Sequence, residues 1–244
     1  NIIRDYPAPI AELESDNFIL TIPSKDIRAL DDPDYAMDFW DEALQMEHNL
    51  SGYTPWPRVE RAVFDVQISA GWMHSGYPFM AHLASVSGVV NGTYMRQNGD
   101  WGMFHELGHN HQWMPSTLPG TTETGCNFAS VYLMEQLVNP PNLRPANPQR
   151  AYFEDGSNIS NWSTWVALDT FLVVKEEWGW GPITEALSVY YTLPAAEVPS
   201  GGTEEFNAWV MHLSNATGYN LAPYHSAWGF PLTQATYDAL DHLP

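Results

Sequence analysis

His105 and His109 stand four positions apart, Glu106 follows the first of them, and Glu123 lies fourteen residues beyond the second. In a helix, residues i and i+4 project from one side, so two imidazoles at this spacing can grip a single divalent ion. The H-E-x-x-H pattern is the helical signature of a zinc site in which the glutamate acts as general base toward a water. On a wheel of about 100° per residue, His109 falls about 40° from His105 and Glu106 about 100°, while Met103 and Leu107 fall about 160° and 200° away. One face therefore carries chemistry and the other packs. Gly102 and Gly108 flank the ligand face, and each costs a helix roughly 1 kcal/mol relative to alanine. Close approach of a metal or a substrate is expected at both.

The third ligand decides the subclass. A three-histidine site needs glycine at position 112 and histidine at 115, which hold Gln112 and Pro115 instead. An inverted H-x-x-E-H is absent as well. A carboxylate on the following helix remains, and Glu123 fits. Pro115, Pro119 and Gly120 should end the first helix and turn the chain, after which Thr121 or Thr122 can cap a second helix over 123–137. Asn127, one turn after Glu123 on the same face, is placed to hydrogen-bond a ligand and hold its orientation. His111 falls about 240° round the wheel and reads as a core histidine. Cys126 is the single cysteine, so no internal disulfide can form, and it reads as a small buried hydrophobe.

Three stretches carry a resemblance: Gly71-Trp72-Met73-His74-Ser75-Gly76-Tyr77-Pro78, the block from Trp101 through His105-Glu106-Leu107-Gly108-His109 to Gln112, and Thr122-Glu123 with Asn127. Over roughly residues 15–215 the sequence resembles the peptidase M60, or enhancin-like, zinc metallopeptidases. That resemblance implies a gluzincin with a zincin-like fold, in which His105, His109 and Glu123 hold one zinc ion and Glu106 is the general base. It also implies a substrate class, the heavily O-glycosylated, mucin-like proteins, some relatives recognising the glycan beside the scissile bond.

Candidate substrate contacts are more scattered. His74 and Tyr77 lie in a glycine-flanked, proline-ended turn upstream of the metal helix and are candidate donors to an oxyanion or to substrate, as are Tyr190, Tyr191 and His212. Aromatic residues make up 14% of the chain; most belong to the core, but aromatic faces also stack on sugar rings. Tyr94, ahead of the metal helix, and Trp113, just after it, are expected to contact substrate. Among only nine cations, Arg144 and Arg150 are candidate donors to sugar hydroxyls or a carboxylate.

The elements that must position these groups change in texture along the chain. Residues 18–22 and 62–68 read as strands and 34–48 as an amphipathic helix. After the motif, 162–178, 183–191 and 204–214 follow a 3.6-residue period, and 139–149, with four prolines, reads as a surface loop. The expected fold is α+β: one catalytic domain over 1–244 with a sheet-bearing lobe over about 1–97, metal-site helices over 98–137 and a helical lobe over 138–244.

Composition narrows the partners. With 244 residues, 44% of them hydrophobic, the chain can bury a sizeable core. A net charge of −20, from 29 acidic against nine basic residues, argues against nucleic acid and anionic membrane surfaces. No apolar run reaches the roughly 18 residues of a membrane span. The opening Asn1-Ile2-Ile3-Arg4-Asp5 has neither a basic n-region nor an apolar h-region, so an export signal is expected to have been removed or to belong to a longer precursor. Five N-x-S/T sequons, at Asn49, Asn91, Asn158, Asn161 and Asn215, are possible N-glycosylation sites and point to a secreted or cell-surface location. The expected partner is a protein or glycoprotein substrate. Two alternatives stay open: a catalytically silent domain serving as a structural or binding component of an extracellular assembly, and a zinc hydrolase acting on a non-peptide amide.

Overall fold

The run Phe18-Ile19-Leu20-Thr21-Ile22 is almost wholly buried and forms an inner strand of a five-stranded sheet. The computed structural model describes residues 2–52 and 58–244. They form two compact units, one from residues 2–48, 58–111 and 129–143, the other from 49–52, 112–128 and 144–244.

The first unit holds the sheet. Its elements are β1 (Ile10–Glu14), β2 (Phe18–Pro23), α1 (Ser24–Ile27), α2 (Pro33–Ser51), β3 (Glu60–Asp65), β4 (Met73–His74), β5 (Phe79–His82), α3 (Val86–Val89), α4 (Gly92–Asn98) and α5 (Trp101–His111). Strand order is β1-β2-β3-β5-β4. β1 and β2 are antiparallel, as are β4 and β5, whereas β2–β3 and β3–β5 are parallel. A parallel pair needs a long crossover, and α2 lies in the one joining β2 to β3. β3 stops at Asp65, three residues before the periodicity does, because the Asp65 carboxylate accepts the Val66 and Gln67 amides at 2.6 and 3.0 Å and turns the chain out of the sheet.

An aromatic cluster ties α5 to this layer. Phe18, Phe39, Trp40, Phe79 and Phe104 are fully buried. Ring centroids lie 5.4 Å apart for Phe18–Trp40, 6.1 Å for Phe39–Phe104 and 6.3 Å for Trp40–Phe104. Burying each such side chain contributes about 1.5–3 kcal/mol, so Phe104 anchors α5 firmly. The Trp40 indole keeps its hydrogen bond by donating to the Val89 carbonyl at 3.0 Å.

Helix α6 (Thr122–Leu137) contributes its first turns to the second unit and its remainder to the first. The second unit continues with α7 (Arg150–Glu154), α8 (Thr164–Trp178), α9 (Gly181–Thr192), α10 (Gly202–Thr217), α11 (Ala222–Ala227) and α12 (Gln234–Leu240). α8 starts two residues later than its periodicity because the Ser163 hydroxyl caps it, accepting the Val166 amide at 3.2 Å. Gly218, at φ 73°, closes α10 in the left-handed conformation that glycine adopts without strain. Leu168, Leu172, Ile183, Ala186, Tyr190, Trp209 and Leu213 supply its core. Among the described residues no helix is long and apolar enough to cross a membrane.

A candidate metal centre

α5 begins at Trp101 because Asp100 caps it, its carboxylate accepting the Met103 amide at 3.0 Å and its carbonyl the Phe104 amide at 3.1 Å. Burial raises the Asp100 carboxyl, and the Met103 and Gly102 amides pull it back. Met103, Phe104, Leu107, Gly108 and His111 form the buried face, leaving His105, Glu106 and His109 half-buried on the other side. The two histidine rings stand 4.8 Å apart, nearly perpendicular. Gly102 serves a different purpose from the one expected: a Cβ there would come within 2.9 Å of the Met73 sulfur, so the glycine admits a β4 side chain.

Glu123 reaches its place through a compact reversal. Gly120 takes φ 78°, the Thr121 hydroxyl donates to the Leu118 carbonyl at 2.7 Å, and the Thr121 carbonyl accepts the Gly125 amide at 2.8 Å as the first bond of α6. The first turn is held from α8 as well, since buried Thr124 donates to the Thr164 carbonyl at 3.1 Å. One donor atom from each of His105, His109 and Glu123 lies within 4.8 Å of the other two. Tetrahedral zinc with ligands at about 2.0–2.2 Å needs donors roughly 3.4 Å apart, a separation that small side-chain rotations reach from this span. Two imidazoles and one carboxylate, with a fourth position left over, also match the donor chemistry of a hydrolytic zinc site. The residues present fit the ion.

Asn127 is buried on α6, one turn after Glu123. In His74, Nδ1 donates to the Ser75 carbonyl and Nε2 meets the Ser69 hydroxyl, both at 2.9 Å. Tyr77 is 47% exposed, with the Arg58 guanidinium 3.8 Å above its ring. Tyr94 is exposed on α4 against Gly88. Trp113 is exposed and packs on Tyr191 at 5.4 Å. Arg144 pairs with the buried Asp169 at 3.1 Å and covers the Trp165 ring, while Arg150 pairs with Glu154 one helical turn away. Tyr190 is buried, its ring 5.0 Å from that of His212. All five sequon asparagines are exposed. His111 is a core residue, bonded to the Leu107 carbonyl at 2.8 Å and pushed down to about 4 mainly by burial. Cys126 is buried.

Two polar residues of the motif block were not singled out by spacing. Asn110 exchanges two hydrogen bonds with Gly76, and Gln112 donates to the Thr122 carbonyl at 2.9 Å. Each directly follows a histidine, and that adjacency was the one available signal.

A mixed sheet backing an H-E-x-x-H helix, with a carboxylate supplied by the next helix, defines the fold class as that of a metallopeptidase catalytic domain. The chain belongs to the family described as peptidase M60, enhancin and enhancin-like, whose profile matches residues 1–229. It is 42% identical over 255 aligned positions to TRPM8 channel-associated factor 2 from Bos taurus, the match covering 99% of this chain and 28% of that protein. Among solved structures, a conserved protein of unknown function from Bacillus anthracis superposes with a TM-score of 0.82 at 20% identity, over 100% of this chain and 54% of the other. The M60 catalytic domain of Clostridium perfringens ZmpC, solved in complex with the sialyl T antigen, gives 0.68 at 14% identity, over 96% and 49%. The chain thus spans little more than a quarter of the length of the bovine relative.

Proposed function

We propose that this domain is a zinc-dependent endopeptidase acting on extracellular, O-glycosylated, mucin-like proteins. The observation that carries the reading is the convergence of the His105, His109 and Glu123 donor atoms, with Glu106 on the same helix. His105 and His109 would hold the zinc from α5 and Glu123 from α6, with Asn127 behind. The bound ion supplies Lewis acidity, polarising the scissile carbonyl and bringing a water toward a pKa of about 7. Glu106 takes the proton of the attacking water and returns it to the departing amine nitrogen. Support for the substrate class comes from family membership and from the glycan in the ZmpC complex; the exposed sequons support a secreted or cell-surface setting. Glu106→Gln should retain fold and zinc while lowering turnover of an O-glycosylated mucin by about 10²–10⁴-fold, and a chelator should abolish wild-type turnover. Wild-type rates in Glu106→Gln would reject the assigned base.

A second reading has one observation in its favour, the 42% identity to a protein named for association with a channel. On that reading the domain binds a protein partner without cleaving it. Mucin bound but uncut by the zinc-loaded wild type would select it.

A further inference from the structure

We propose that Gln112 is a positioning residue for the metal centre, a strut that sets the first turn of α6 and with it Glu123. The inference rests on the reading of His105, His109 and Glu123 as zinc ligands. Gln112 follows α5 directly, and its Nε2 donates to the Thr122 carbonyl at 2.9 Å. That carbonyl belongs to the peptide unit joining Thr122 to Glu123, so the bond fixes the backbone from which the ligand side chain springs. The Cys126 thiol points toward the same amide, 3.9 Å from Oε1, and is bonded to the Thr122 carbonyl at 3.3 Å.

Gly125 is the counterpart of the strut. A Cβ at that position would lie 2.6 Å from the Gln112 Nε2 and 3.8 Å from its Cδ, and outside its own helix backbone it would meet no other described atom within 4 Å. The absence of a side chain at 125 is therefore what lets the amide lie flat on the helix. Because the colliding atom is the far end of a flexible side chain, alanine at 125 would eject the amide rather than bend α6. Alanine is also the better helix former. Gly125→Ala thus separates the strut from fold stability: it should leave the melting temperature unchanged or higher while weakening zinc.

Zinc affinity, read by competition with a chromogenic chelator on the whole chain, tests this without recourse to catalysis. Partners that orient metal ligands are worth about 10–100-fold in affinity. Gln112→Ala, the near-isosteric Gln112→Met, and Gly125→Ala should each lose on that order, with circular dichroism unchanged. Two double variants complete the test. Gly125→Ala added to Gln112→Ala should cost nothing more, since the colliding amide has gone. Gln112→Ala added to Glu123→Gln should also cost nothing more, since the strut acts only through that ligand. Wild-type affinity in Gln112→Met and Gly125→Ala, or full additivity in both doubles, overturns the inference and leaves the zinc site standing. A wild-type chain that binds no zinc overturns both together.

Discussion

Asn110 and Gly76 exchange a reciprocal pair of hydrogen bonds, the Asn110 Oδ1 accepting the Gly76 amide and its Nδ2 donating to the Gly76 carbonyl, both at 2.9 Å. An amide side chain thus does for one residue what a neighbouring strand would do, and it pins the turn carrying His74 and Tyr77 to the last turn of α5. Gly76 holds φ 128°, a conformation that L side chains rarely adopt. The Asn110 amide also reaches buried Glu60, whose carboxyl is raised by burial and drawn back partly by the Arg61 amide, then by Arg58 and Asn110.

Removing this clasp has a calculable cost. Asn110→Ala deletes two hydrogen bonds, each worth about 0.5–1.5 kcal/mol, so a loss of about 2 kcal/mol is expected, roughly 4–8 °C in melting temperature for a chain of this size. Asn110→Asp keeps the shape but turns the donor into an acceptor facing the Gly76 carbonyl and Glu60. Its penalty should exceed that of alanine at pH 8 and shrink toward pH 5, where the new acid can protonate and donate. Thermal melts of both variants at the two pH values check this. An aspartate variant as stable as wild type at pH 8 would show that the clasp does not hold the turn.

Arg144 is expected to show itself in stability. Its guanidinium, 26% exposed, faces the Asp169 carboxylate, which is 1% exposed and also accepts the Asn147 amide at 3.1 Å. Breaking a buried pair from one side costs about 3–5 kcal/mol, and the partial exposure of the arginine lowers the figure to about 2 kcal/mol. Arg144→Ala should therefore shift the urea midpoint while leaving KM for a mucin substrate within about twofold. A raised KM at unchanged midpoint would return Arg144 to substrate binding.

The contrast between Arg144 and His105 shows what a sequence can carry. The pairing of His105 with His109, the apolar stripe of α2 and the periodic faces of α8, α9 and α10 are local patterns, fixed within one or two helical turns, and they could be read directly. Glu123 was reached by excluding other ligands and by the Pro115–Gly120 chain reversal. β1, β4 and β5 span two to five residues and take their register from neighbouring strands, so no periodicity marked them. The partners of Asn110 and Arg144 lie 34 and 25 residues away. Nothing in the type of either residue says whether its donors face a substrate or a neighbour, and the buried Asp169 carboxylate beside Arg144 comes from a distant part of the chain.

Two buried groups should give the folding stability an asymmetric pH profile. His225 is buried, donates from Nδ1 to the Leu221 carbonyl at 2.9 Å, and is pushed down from 6.5 to about 4, chiefly by burial. Its folded pKa lies below its unfolded one, so the neutral ring contributes fully above pH 6.5, and that contribution is lost as pH falls toward 4. Glu47, buried on α2, is pushed up from 4.5 to about 8 by burial. With the folded pKa raised, its contribution is fully present below pH 4.5 and is lost as pH rises to 8. Between pH 4.5 and 6.5 the two trends oppose each other, and His111, His48 and His212, all lowered by burial, add to the acid side. Above pH 6.5 the histidine contributions are complete and the raised Glu47 carboxyl draws stability down toward pH 8, which puts the maximum near pH 6.5. Glu47→Gln removes the alkaline limb: relative to wild type, its unfolding free energy should improve progressively from pH 4.5 to 8, by about 1.4 kcal/mol for each pKa unit of linkage released. Urea titrations across pH 4–9 measure the difference, and a gap between variant and wild type that stays constant over that range would show that Glu47 is ionised in the fold.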